Sequence, residues 1–136
     1  ARDPALATEA RRWMKHEPRY VWLGELARPQ ALATLARARA MLISSRMEGG
    51  ANVISEALVA RVPVIASKIS GNIGMLGRRY RGYYPLGDTH ALAKLLDNIE
   101  TKTGLLTTLR AQCAERRKLI SVSQEKSGLR RLLAGL

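Results

Sequence analysis

Ser44-Ser45-Arg46-Met47-Glu48-Gly49-Gly50-Ala51-Asn52-Val53-Ile54-Ser55-Glu56 is the stretch whose reading decides the fold. A short apolar strand, Ala40 to Ile43, runs into it. A helix carrying Val53, Ile54, Ala57 and Leu58 runs out of it, and a second apolar strand, Val64-Ile65-Ala66, follows at once. Strand, loop, helix and strand within about thirty residues is the pattern of a βαβ unit. Ligands of such units lie beyond the carboxyl ends of the strands, where loop meets helix. This loop places a carboxylate, two glycines and an asparagine there.

Working outward, the amino-terminal side opens with Asp3-Pro4, an N-cap acid followed by proline at the first helical position. Leu6, Ala10, Trp13 and Met14 form the apolar face of that helix, and Glu17-Pro18 ends it. Tyr20-Val21-Trp22-Leu23 reads as a short strand closed by Gly24. Pro29 starts a helix with Leu32, Leu35 and Ala36 as its stripe. On the other side, Asn72 to Leu76 allows one helical turn and Gly82-Tyr83-Tyr84-Pro85 a short extended piece. Asp88 caps a helix marked by Leu92, Leu95, Leu96 and Ile99. A helix over 104–120 follows, and Ser121 or Ser123 starts a final one.

Uninterrupted apolar runs, rather than alternating ones, point to strands covered on both faces. The fold class is therefore α/β, a Rossmann-like parallel sheet flanked by helices. Three or four strands are few for such a fold; either the sheet is small or a strand and helix are missing at the amino end, and we expect the second. One domain spans 1–136, with its core over 17–100 and a helical extension over 101–136.

Bulk properties narrow the function. Hydrophobic residues make up 46%, a globular composition, but aromatics only 4%, so the core is built from Leu, Ile, Val and Ala. No run reaches the ~18 apolar residues of a membrane span, and no signal peptide is visible. The single cysteine, Cys113, excludes an internal disulfide. A cytoplasmic setting is expected. His16 and His90 lie far apart and are read as surface residues rather than metal ligands. A net charge of +12 points to an anionic partner, yet the cations are scattered along the chain without the aromatic interleaving of single-strand binders.

In the central loop, Gly49-Gly50 lets backbone approach a ligand closely. The amides of Gly50, Ala51 and Asn52 then open a helix, whose unpaired donors and positive dipole end suit phosphate. Taken alone, the same residues more readily make an ordinary turn and N-cap. Glu48 and Glu56, separated by seven residues, are placed to flank one crevice, and a carboxylate accepts two hydrogen bonds from a sugar diol. The plain alternative is Glu48 paired with Arg46 and Glu56 exposed.

The order of pieces around the two acids is the stronger signal. Glu48-(seven residues)-Glu56-Ala57, Val62-Pro63-Val64-Ile65-Ala66, the upstream Tyr20-Val21-Trp22-Leu23-Gly24 and the downstream Gly82-Tyr83-Tyr84-Pro85-Leu86-Gly87-Asp88 together resemble the carboxyl-terminal half of GT-B glycosyltransferases. The likeness is in particular to the large retaining family often called family 4, over roughly 17–100. The resemblance implies a donor-binding domain for a nucleotide-diphosphate sugar, with UDP the expected nucleotide. It implies that Glu48 is catalytic, facing the donor sugar, and that Glu56 holds the ribose. Gly49, Gly50, Ala51 and Asn52 would hold the diphosphate, and Gly24 and Glu25 the base. No metal or other cofactor is expected, because amides and basic side chains neutralise the leaving diphosphate.

Two departures stand out. The family usually has glycine where Arg61 stands, and a non-glycine in a left-handed helix cap costs on the order of 1 kcal/mol. The family's Arg and Lys that clamp the diphosphate precede the region seen here, as does its acceptor-binding amino-terminal domain. We therefore expect a hexosyltransferase in the full-length protein and an inactive fragment, since positioning across two domains supplies much of the rate. Ser45 to Asn52 with Gly71-Asn72-Ile73-Gly74-Met75-Leu76-Gly77 further resembles the selenosugar synthases of selenoneine biosynthesis, which join a UDP-sugar to selenophosphate. The alternative reading is a basic polyanion- or nucleic-acid-binding module without glycosyl transfer.

Overall fold

The computed structural model describes residues 4–46, 51–102 and 104–134, and only the backbone of Ala51, Asn52 and 121–134. The chain divides into two compact units, Ala1–Thr34 and Leu35–Leu136.

In the first unit, α1 (Pro4–His16) begins at Pro4 and ends before Glu17-Pro18, as the sequence predicts. Asp3, its expected cap, lies outside the described residues. The packed stripe differs from the expected one. Ala7 and Ala10 are buried and Met14 half-buried, whereas Leu6 and Trp13 are 59% and 54% exposed. Two alanines one turn apart allow the closest approach to this helix. The predicted strand Tyr20–Leu23 is not a strand. A strand needs a neighbour for its ladder, and here the Trp22 N–H donates instead to the Met14 sulfur at 2.9 Å. The Arg11 guanidinium lies 5.5 Å from the centre of a Trp22 ring. Helix α2 (Arg28–Arg37) runs across the boundary between the units.

The second unit holds β1 (Met41–Ile43), α3 (Ala51–Val59), β2 (Val64–Ser67), α4 (Ser70–Leu76), β3 (Tyr83–Tyr84), α5 (Thr89–Thr101) and α6 (Leu105–Ala134). The described strands form one parallel sheet in the order β1-β2-β3, with Met41 opposite Val64 and Ala66 opposite Tyr83. With six helices and this sheet among the described residues, the fold is α/β and Rossmann-like. Every residue of β2 is buried, so the central strand is covered on both faces, as its unbroken apolar run predicts. Val64 and Ala66 join Ile54, Ala57, Leu58, Leu109 and Cys113 in the main core. Ile65 points the other way, into an apolar hollow of about 220 Å³ lined by Leu96, Ile99 and Leu106. Leu42, paired with Ile65, is 46% exposed. Edge strand β1 is thus less covered than β2.

Two corrections concern the helices. A single α6 replaces the two helices predicted after Gly104. No proline interrupts Leu105–Ala134, and a serine costs only about half a kcal/mol in a helix interior. The one turn allowed at Asn72–Leu76 is a longer helix, Ser70–Leu76. Asp88 caps α5 as expected, its carboxylate accepting the Ala91 N–H at 2.9 Å.

Helix α3 ends in a Schellman motif. The Val62 N–H donates to Ala57 O at 2.9 Å and the Arg61 N–H to Leu58 O at 3.1 Å, with Arg61 left-handed at φ 64°. The helix thus terminates as the family's glycine would make it, but on a residue with a Cβ. Two neighbouring arginines of α6 satisfy further helix-end carbonyls. Arg116 donates to Met75 O at 2.8 Å and Gly74 O at 3.1 Å in α4, and Arg117 to Leu58 O at 3.4 Å in α3. Part of the positive charge is therefore structural.

Strand β3 is too short to pair with the amino end of β2, and Tyr80 takes over there. Its hydroxyl accepts the Val64 N–H at 3.2 Å and donates to the Val64 carbonyl. With that hydrogen used, the Cys113 thiol 3.4 Å away is the donor to the second lone pair. Burial pushes the Tyr80 phenol well above its ordinary pKa. Gly82 permits the arrangement, since a Cβ there would stand 2.6 Å from Val64 O and 2.5 Å from the Tyr80 ring.

Two stability changes follow, both read by urea unfolding. Arg61→Gly, which removes the left-handed Cβ penalty, should stabilise the chain by about 1 kcal/mol. Tyr80→Phe, which strands both buried polar groups of Val64, should destabilise it by roughly 1–3 kcal/mol.

Candidate functional site

In a parallel sheet every strand ends on the same edge. That edge here gathers Ser44–Arg46 after β1, Lys68 and Ile69 after β2, and Pro85 after β3. The central loop, with Met47, Glu48, Gly49 and Gly50, lies outside the described residues. Helix α3 begins at Ala51, where the sequence places a helix start. Ala51 and Asn52 therefore form its first turn, with N–H groups that have no intrahelical acceptor.

Glu56 is the sixth residue of α3, beside the buried Ile54, Ala57 and Leu58. It is itself half-buried. Gly24 and Glu25 belong to the first unit and Glu56 to the second. Gly24 has φ 67° and open space where a Cβ would stand, so glycine serves the backbone conformation there rather than a close approach. Glu25 is exposed.

The edge is braced by a polar network that the sequence reading did not single out. Ser67 Oγ donates to Ser45 O at 2.7 Å, tying the loop after β1 to the end of β2. Asn72 Nδ2 donates to Ser67 O at 2.8 Å and lies 3.3 Å from Ser67 Oγ. Ser67 and Asn72 are 0% and 1% exposed, so each bond stands where water cannot replace it. The Tyr83 hydroxyl lies 3.2 Å from Asn72 O and 2.8 Å from Gly77 O, and burial pushes its pKa up to about 12. Tyr84 reaches across β2 to Ile43 O at 3.5 Å. A serine closing an otherwise apolar, fully buried strand was the available signal, together with the asparagine five residues on.

Arg46 and Lys68 are exposed cations at this edge. Together with the positive end of α3 they favour an anion. Among the described residues no three His, Cys, Asp or Glu side chains cluster as metal ligands. His16 and His90 are exposed, as read from the sequence. No helix among the described residues is long and apolar enough to cross a membrane.

Comparison with known proteins finds a match to one family model, described as glycosyl transferases group 1, over residues 14–119. No curated protein matches the chain.

The brace is open to test. Asn72→Ala should leave the Ser67 carbonyl buried without that donor and loosen the segment after β1. Hydrogen exchange of the Ser44–Arg46 amides should accelerate severalfold, and global stability should fall by about 1–3 kcal/mol.

Proposed function

Because this chain belongs to the group 1 glycosyl transferases, we propose that its second unit binds the nucleotide-diphosphate sugar, with UDP as the nucleotide, for retaining transfer. The observation that carries this reading is a helix start at the carboxyl edge of a parallel sheet, with a half-buried glutamate on the same helix. The diphosphate rests against the amides at Gly49 to Asn52, where the helix dipole and the nearby Arg46 and Lys68 oppose its charge. Glu56 accepts hydrogen bonds from the ribose diol. Glu48 faces the sugar and holds it for attack.

In the reaction, the bond from the anomeric carbon to the β-phosphate oxygen breaks and a bond from that carbon to the acceptor forms. The nucleotide leaves with the electron pair. Preorganised donors that meet charge developing on the leaving oxygen lower the barrier without a metal ion. An acceptor domain and a basic clamp facing this crevice would complete the site for transfer. The likeness to selenosugar synthases rests on the two loops around Ser45–Asn52 and Gly71–Gly77, and it makes selenophosphate the first acceptor to try.

Titration of the labelled chain with UDP should shift the NMR signals of Ala51 to Glu56 and leave those of α5 in place. Glu56→Gln should weaken that binding roughly tenfold, the value of one charged hydrogen bond of about 1.4 kcal/mol. If UDP leaves the α3 start unmoved while duplex DNA shifts basic residues with a steep salt dependence, the polyanion-binding reading replaces this one.

A further inference from the structure

The edge of the sheet opposite the crevice carries a second concentration of charge. Segment Gly77–Gly82 leads into the amino end of β3 and places Arg78, Arg79 and Arg81 within four consecutive positions, all three exposed. No acidic side chain pairs with them among the described residues. Arg78 and Arg79 line a hollow of about 370 Å³ together with Tyr80, Gln112, Glu115 and Arg116. Three guanidinium groups thus face one carboxylate. That carboxylate also lies 3.3 Å from the Lys118 ammonium, which offsets its charge. On the far side of Arg81 a second hollow, of about 380 Å³, adds Lys102.

The backbone beneath these arginines is pinned. Gln112 accepts the Arg81 N–H at 3.0 Å and donates to Arg79 O at 2.9 Å. Gly77 O accepts from Tyr83, Tyr80 is fixed to both polar groups of Val64, and Gly82 packs against the Tyr80 ring. The Arg116 guanidinium is held by two carbonyls of α4. A solvated surface loop has no need of such anchoring. A pinned backbone narrows the positions that its arginine side chains can reach, so less freedom is lost when they close on an anion beside the held Arg116, and the planar fork matches phosphate oxygens two at a time.

We propose that the Gly77–Gly82 segment with Arg116 is a binding site for a phosphate monoester group, separate from the donor crevice. Two sources carry that chemistry, a soluble phosphate and the headgroup of phosphatidic acid. The site is independent of the donor reading, because its reporters lie on the other edge of the sheet.

The labelled chain is titrated with inorganic phosphate, and its sedimentation is measured with phosphatidylcholine vesicles with and without phosphatidic acid. Shifts confined to Gly77–Gly82 and the Arg116 side chain support the site and assign a soluble ligand. Sedimentation that needs phosphatidic acid supports it and assigns the lipid. In either arm Arg78→Gln with Arg79→Gln should weaken binding at least tenfold, while Arg12→Gln with Lys15→Gln, an equal loss of charge on α1, should change it less than twofold. Equal weakening by both pairs, absence of binding in both arms, or shifts at the segment with duplex DNA but neither probe would overturn the proposal.

Discussion

The second unit depends on hydrogen bonding of a four-residue strand that no water reaches. Strand β2 is covered on both faces, so its backbone groups must all be paired within the protein. β1 supplies one side. On the other side β3 offers two residues, and a tyrosine hydroxyl completes the remainder at Val64. The requirement propagates outward. Tyr80 must reach the strand, so Gly82 has no room for a side chain. Cys113 must lie beside the phenol, which places α6 against the core. The carboxyl end of the same strand is closed by Ser67 and Asn72, which also hold the loop after β1. One short buried strand thereby determines what stands at both edges of the sheet.

Much of this was legible in the residues. The apolar runs at 40–43 and 64–66, each without alternation, announced a parallel sheet, and the helix between them begins where the glycines end. Asp88 was readable as a cap because its side chain acts within three residues. Tyr20–Leu23 was not readable correctly, because a strand is a property of pairing and a β-like composition carries no partner with it. The α6 boundary failed for a related reason. Serines weaken a helix too little to end it where no proline or left-handed residue intervenes. Leu6 and Trp13 satisfied the periodicity of α1, yet the alanines between them form the packed stripe.

The candidate site was legible in its chemistry and less so in its support. The acid on α3 and the helix start stand out in the sequence because their spacing matches a family pattern, and the family match covers the same region. Ser67 and Asn72 carry no such pattern, and only the buried geometry shows that they brace the loop. The net charge was legible as scattered cations but not in its uses, which the structure divides between carbonyl caps from Arg116 and Arg117, cations at the crevice edge and the arginines before β3.

The paired caps have a mechanical consequence. Arg116 and Arg117 are adjacent on α6 but grip the ends of two different helices, α4 and α3. Sliding α6 by one turn, about 5.4 Å, would release both grips at once. Small displacements are resisted and large ones must be concerted, so the long helix behaves as a latch with one rest position. Because α3 is continuous from Ala51 to Val59, its first turn and its latched end belong to one rigid piece.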